Sequence, residues 1–310
     1  MIRHLHPTDS PRLIPFRQAV GRGQAFPLAR ALHAVDRRFS AVSYAGLALS
    51  PRAWRTCWVW DQPGRLGGVV RAGPRSGPTC WEIRELFLAR GIESECADIL
   101  QEVAAQAACA GARRLFLRIA EGGAIFDGAR RAGFLPQYTE FLYRSEGSGD
   151  LGLDREPGTG PNLRIRRPED EARLFSLQSL TSPPRVRIQV APTVDDWRDG
   201  LERPARSVRD LVADNDDGQP VGWVRSADTS AGRYVSVVCQ PFSSDIARGL
   251  LSAALDGGSR PAVALVPSYD ESLVRLLETA DLKLQRTYEV LVRPIAVPVA
   301  LTRGALAAVG

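Results

Sequence analysis

The chain is written twice around one stretch, "RSEGSGDLGLDREPGTGPN" at 144–162, which is rich in Gly, Pro and acidic residues and has no hydrophobic periodicity. Such a stretch reads as a linker. On either side the same signals recur in the same order. "IRHLHPTD" (2–9) answers "IRRPED" (165–170), each a short strand followed by Pro-x-Asp. "CWVWDQPGRLGGVVR" (57–71) answers "RDLVADNDDGQPVGWVR" (209–225), each a strand, a Gly-bearing turn and a second strand, which signals a hairpin. The apolar strands "IRELFLA" (83–89) and "RYVSVVCQ" (233–240) each lead into an amphipathic helix, with Ile99, Leu100, Val103 and Ala107 on one apolar face and Ile246, Leu250, Leu251 and Ala254 on the other. A buried-looking strand follows ("RRLFLRI" or "AVALVPS"), then a short helix, then a closing alternating strand ("QYTEFLYRS" or "KLQRTYEVLVR"). A duplicated α/β unit with a mixed sheet is the fold class this predicts. The domains are 1–146 and 163–310, with a linker over 147–162. Two modules are expected, and one undivided sheet would contradict that expectation.

The 310 residues, 44% hydrophobic and 24% charged, suffice for two ordinary cores. No apolar run approaches the roughly 20 residues that span a bilayer, and "MIRHLHPTDS" lacks the apolar stretch of a secretory signal. A cytoplasmic protein with no membrane partner is expected. The five cysteines are odd in number and show no C-x-x-C spacing, which points to free thiols rather than a disulfide frame or zinc site. A net charge of +5 suggests nucleic acid, but of the 40 basic residues only Lys283 is lysine, and the arginines are spread evenly without a basic run. Nucleic acid is not expected as a partner. His4 and His6 share a strand face without a visible third ligand, which favours a structural role. Trp54, Trp58 and Trp60 either line a cleft or pack in the core, and the hairpin placement of the last two favours packing. Trp197 follows the helix-start signal "PTVDD" and reads as an anchor.

The element order, the Pro-x-Asp after the first strand and the closing "ARRAGFLPQYTEFLYR" resemble the GNAT (GCN5-related N-acetyltransferase) superfamily, whose members move an acyl group from coenzyme A to an amine. The resemblance covers nearly all of both halves and implies two tandem GNAT-like folds. It also implies acetyl-CoA or another acyl-CoA as co-substrate and a small-molecule or peptide amine as acceptor. The family's phosphate loop, R/Q-x-x-G-x-G/A, lies between the fourth strand and the next helix, where backbone N–H groups at a helix N-terminus meet the pyrophosphate. In the first copy it falls on Gly91 to Cys96, with Ser94 and Cys96 on the small positions. Sliding by one residue recovers Arg90 but puts Glu93 and Glu95 there. In the second copy it falls on Phe242 to Ala247. Ala247 fits, while Ser243, Ser244 or Asp245 offers an N-cap oxygen that would occupy a donor the coenzyme needs. The coenzyme contacts so implied are Leu86, Phe87, Leu88, Gly91, Ser94 and Cys96 in one copy, and Val237, Val238, Ser243, Ser244 and Ala247 in the other.

Glu93 and Glu95 have a second reading, because acidic side chains in a first helical turn complement the helix dipole with no anion bound. The tyrosine that commonly protonates the departing thiolate in this family would stand at Ala129 or Leu277, and neither donates a proton. The general base implied for the first copy is Glu82 or Glu85; the second copy has no carboxylate on the matching strand. Two readings stand: an acyl-CoA-dependent N-acyltransferase, or a non-catalytic GNAT-fold binding or assembly protein that has lost coenzyme binding in one or both halves.

Overall fold

The computed structural model describes residues 1–50, 54–146, 162–241, 243–256 and 260–295. The N-terminal half contributes β1 (Ile2–His4), β2 (Cys57–Gln62), β3 (Arg65–Pro74), β4 (Cys80–Leu88), β5 (Arg114–Ala120) and β6 (Leu135–Arg144). The C-terminal half contributes β7 (Asn162–Ile165), β8 (Arg209–Asp214), β9 (Pro220–Thr229), β10 (Gly232–Cys239), β11 (Ala262–Pro267) and β12 (Lys283–Pro294). The linker expected over 147–162 lies outside the described residues, except for Asn162, which opens β7.

The sheet is undivided, against the expectation of separate modules. Its order is β1-β2-β3-β4-β5-β12-β6-β11-β10-β9-β8-β7. Duplication is nonetheless written into that order: replacing each strand by its counterpart in the other half and reading from the far end returns the same sequence of strands. The halves merge because each sends its last strand into the other. β12 pairs with β5 from Tyr288 opposite Ala120 to Pro294 opposite Arg114, and β6 pairs with β11 from Val263 opposite Arg144 to Pro267 opposite Glu140. β6 and β12 pair with each other at the centre. The exchange leaves no open inner edge in either half, which removes a template for unwanted pairing.

One face of the sheet carries α4 (Ala97–Cys109), α5 (Phe126–Arg131), α9 (Ser244–Leu255) and α10 (Glu271–Thr279), whose apolar stripes build the two large cores. The other carries α1 (Ser10–Ala19), α2 (Leu28–Ala31) and α3 (Ala41–Ala48) from the first half, and α6 (Glu171–Thr181), α7 (Pro184–Val190) and α8 (Val194–Gly200) from the second. These helices cross the midline. Leu28 and Ala31 of α2 pack with Tyr234, Val263 and Leu265 of the second half, while Val190 of α7 meets Cys80 and Phe116 of the first. The β3–β4 turn clamps the end of α8: Thr79 donates to Asp199 Oδ2 from its N–H (3.1 Å) and its hydroxyl (2.7 Å). Gly77 permits this contact, since an added Cβ would lie 1.9 Å from Asp199 Oδ1. No helix among the described residues is long and apolar enough to cross a membrane.

Parallel pairing is short in both halves, and this positions the site. β4 and β5 pair only over Cys80–Glu82 and Arg114–Phe116, and β10 and β11 only over Arg233–Val235 and Ala262–Ala264. Beyond those residues each pair diverges, opening a V-shaped cleft toward the carboxyl ends of the strands, where α/β sheets bind ligands.

Candidate functional site

The two clefts differ. In the first half the chain fills its own cleft. Gly21 N–H donates to Leu88 O (3.2 Å) and Gln24 N–H to Leu86 O (2.8 Å), while Phe26 N–H donates to Arg118 O (2.9 Å) on the opposite strand. Val20 also bridges to Ala89. The segment 20–26 thus lies between β4 and β5, hydrogen-bonded to both without forming a regular strand. Leu86 and Leu88, named above as coenzyme contacts, spend their cleft-facing carbonyls on it. Phe87 faces the other way, because Ala89 N–H donates to Gly67 O (2.8 Å) and alternation turns the backbone of Phe87 toward β3.

The first phosphate-loop position is likewise self-satisfied. Glu93 and Glu95 form a single 3-10 turn, and Glu93 Oε2 accepts from Gly91 N–H at 2.8 Å. A carboxylate of the chain therefore sits where the loop would offer a donor to phosphate. Cys96 is fully buried, with burial pushing its thiol up to about 11. The side chain of Ser94 lies outside the described residues. Glu85 is 3% exposed and accepts from Arg30 Nη2 (3.2 Å), Arg37 and the Tyr44 hydroxyl, so both its oxygens are held in a structural cluster. Glu82 turns to the midline instead, 3.3 Å from Arg75 Nε, with its carboxyl raised by burial.

In the second half the cleft is open. Gln240 N–H donates to Val221 O (2.9 Å), which by alternation turns Val238 toward β9 and Val237 and Cys239 toward the cleft. Among the described residues no backbone group pairs with Val237 or Cys239 on that edge. A cavity of about 250 Å³ lies there, walled by Cys239, Gln240, Ser243, Ser244, Ala247 and Tyr269, with the start of α10 beyond. Of the second-copy residues named above, Ser243, Ser244 and Ala247 line this cavity, and Val237 and Val238 do not. The expected serine cap is absent: Ser243 takes the N-cap position of α9 without a side-chain hydrogen bond. Its backbone N–H donates to Gln240 O at 3.3 Å. Asp270, not a serine of this loop, is a true cap, accepting from Leu273 N–H at 3.1 Å at the start of α10.

Sequence reading missed Gln240 and Tyr269 among the residues of this cavity. Gln240 would have appeared on sliding the loop pattern two residues back, where it takes the R/Q position. Tyr269 was missed because tyrosine was sought only at a fixed spacing from the last helix, whereas Tyr269 stands in the turn that follows β11. Burial pushes its hydroxyl up to about 12. It also borders a second, small cavity of about 50 Å³ beneath α6 and α7, shared with Tyr138, Phe175, Gln178 and Trp197. Trp197 anchors as expected, 4% exposed and donating from Nε1 to Gln178 at 2.7 Å. Trp58 and Trp60 are core residues at 2% and 8% exposure, and Trp54 lies outside the described side chains. The His6 ring accepts from Thr8 N–H, and the His4 ring lies 5.2 Å from that of Trp58.

No protein-family model and no curated protein matches the sequence. Solved structures do. A GCN5-related N-acetyltransferase from Sphaerobacter thermophilus is 14% identical, with 95% of each chain covered and a TM-score of 0.52. A functionally unknown conserved protein from Staphylococcus epidermidis is 13% identical over 71% of this chain and 88% of its own, with a TM-score of 0.52. A tandem GNAT protein from the clavulanic acid biosynthesis pathway is 13% identical over 96% of this chain and 98% of its own, with a TM-score of 0.50. At such identities the likeness is one of fold, and on that ground the chain consists of two GCN5-related N-acetyltransferase folds in tandem, fused through one sheet.

Proposed function

We propose that the protein is an acyl-CoA-dependent N-acyltransferase whose C-terminal half binds the coenzyme while its N-terminal half serves as scaffold. The carrying observation is the contrast between the clefts: segment 20–26 is hydrogen-bonded into one, and the other keeps an unpaired β10 edge beside a cavity of about 250 Å³. The residues present fit an acyl-CoA. The edge groups of Val237 and Cys239 match the amides of a pantetheine arm, which pair with a strand as another strand would. The uncapped start of α9 offers backbone donors to a diphosphate. The bound coenzyme would supply the activated acyl thioester.

Calorimetric titration with acetyl-CoA tests this. One coenzyme per chain is expected, with binding lost in Ala247→Trp, whose ring would fill the cavity. Two coenzymes per chain, or binding untouched by that substitution, would sink the assignment of halves. No binding at millimolar acetyl-CoA would instead favour the non-catalytic reading, for which Ala129 and Leu277 speak, both standing as buried core residues where the family's tyrosine is expected.

A further inference from the structure

The second half holds another cavity, at the far end of its sheet from the coenzyme cleft. On the α9 side of β8, β9 and β10 the register sets side chains in rows across the strands: Leu211–Val224–Val237, then Arg209–Ser226–Val235, then Asp228–Arg233. The first row is apolar and packs with Leu250 and Leu251 of α9 in one core. α9 ends at Leu255, and from the second row on the same face turns polar. The alternation that buries Leu211, Val224 and Val237 thus brings Arg209, Ser226, Asp228 and Arg233 into a shared hollow. Its volume is about 390 Å³, and Arg206 and Ser207 from the loop before β8, with Ala254 from the last turn of α9, complete its walls. Arg233 and Cys239 lie at opposite ends of β10, about 20 Å apart along the strand.

The charges in this hollow do not balance. Arg233 is committed: Nε and Nη2 donate to the two oxygens of Asp228 (3.0 and 3.3 Å), and Nη1 donates to Asp256 O (3.3 Å), which answers the carbonyl end of α9. Asp228 is neutralised by that pairing. Asp210, next to Arg209 in the chain, points to the other face of the sheet, where it accepts from Arg225 Nε at 3.2 Å. Arg206 and Arg209 have no such answer. Both are exposed, and among the described residues neither makes an ion pair or a side-chain hydrogen bond. Two positive charges are therefore left over at a concave site. Ser226 marks the same place independently: it is 6% exposed, lines the cavity, and its hydroxyl has no hydrogen-bond partner among the described residues. Buried polar groups in folded proteins are hydrogen-bonded, so a hydroxyl left open toward a cavity calls for a ligand acceptor.

The geometry points to a second ligand site in this half, one that takes a small organic phosphate. Arg206 and Arg209 offer charge-assisted donors to a tetrahedral oxyanion, and the hydroxyls of Ser226 and Ser207 donate to oxygens that the guanidiniums leave free. A phosphomonoester carries about −1.5 to −2 at neutral pH, which matches two guanidiniums; a monocarboxylate would leave one of them unanswered. The volume falls within the roughly 300–1,000 Å³ of small-molecule sites and so leaves room for the organic part. This site shares no wall residue with the coenzyme cavity, and it stands whether or not the protein is an acyltransferase.

Calorimetric titration of the full chain at fixed ionic strength, with inorganic phosphate, glycerol phosphate, citrate and glycerol, tests this. Both phosphates are expected to bind, a single ion per chain, with citrate weaker than either and glycerol silent. Arg206→Ala and Arg209→Ala should each weaken phosphate binding about tenfold or more, and Ser226→Ala about fivefold. Both arginines are exposed and unpaired among the described residues, so the urea midpoint of their variants should match the parent's, and these two variants decide the matter if Ser226→Ala does not fold. Arg17→Ala, which removes an exposed arginine from α1, should bind phosphate as the parent does. So should Ala247→Trp, which separates this site from the phosphate groups of a coenzyme. Phosphate binding that survives both arginine variants, or that is lost in Ala247→Trp, puts the anion elsewhere and overturns the inference. Silence of both phosphates at millimolar concentration, or citrate binding as tightly as glycerol phosphate, overturns it as well.

Discussion

Asp9 and Asp170, the acids of the repeated Pro-x-Asp, show what that motif does. Asp9 accepts from both terminal nitrogens of Arg3 (2.7 and 2.6 Å) and from His6 N–H (2.9 Å), and Arg3 reaches on to Asp61 (3.2 Å). Asp170 repeats this with Arg164 (2.7 and 2.8 Å), Arg167 N–H (2.7 Å) and Asp214. Each arginine ties the first strand to the hairpin beside it, with the aspartate 2% exposed. Burial pushes Asp9 up, but Arg3 and His6 N–H outweigh it; Arg164 holds Asp170 down, and Arg12 with Arg3 holds Asp61 at about 2. Folded values below the unfolded one, about 3.9, mean that the stabilisation is present above pH ~4 and is lost as pH falls toward ~2. The urea midpoint should therefore drop across that window. Asp9→Asn and Asp170→Asn should each cost about 1.5–3 kcal/mol at neutral pH and flatten the acid drop; parallel curves for parent and variants would refute this. Glu85→Gln should be costlier, about 3–5 kcal/mol, because it strands the buried Arg30. Lost turnover in that variant with an unchanged urea midpoint would instead return Glu85 to the chemistry.

At the scale of elements, the strands and helices were legible because their periodicity is local: the hairpins, the amphipathic α4 and α9, and even the match of Gly133 to Asp281, which share a left-handed backbone at φ 81° and 61°. Two site-forming features were not. "VGRGQAF" (20–26) shows no strand pattern, since its pairing draws on edges that become available only when β4 and β5 part. A serine at a helix start reads as a cap by type, whereas the Ser243 side chain makes no capping hydrogen bond although its backbone, at φ −103° and ψ 62°, is close to that of Asp270 (φ −93°, ψ 66°), which does cap. Hydrogen exchange resolves both at once. Amides of Gly21 and Gln24 should be protected without ligand, as strand amides are, while those of Val237 and Cys239 should exchange quickly and slow on adding acetyl-CoA. Fast exchange at Gly21 and Gln24 would mean the first cleft is not filled, and no slowing at Val237 and Cys239 would mean the second edge does not take the coenzyme.

For the whole molecule, the exchange of β6 and β12 makes the halves interdependent. The alternation of "QYTEFLYRS" and "KLQRTYEVLVR" fixes which face of each strand is buried but carries no information on which half receives it. Separate sheets and exchanged strands are therefore equally compatible with the sequence. Separated, each half would lose the strand its neighbour inserts, leaving a long unpaired edge at β5 or β11 and its own last strand without a partner. A protease site introduced into 147–161 tests the consequence. After cleavage the fragments should stay together on gel filtration and melt in one transition that coincides by fluorescence and circular dichroism. Either half expressed alone should aggregate or pair with a second copy of itself by the same exchange. Two resolved transitions, or a monomeric half with native helix content, would show that the sheet is joined only by contact.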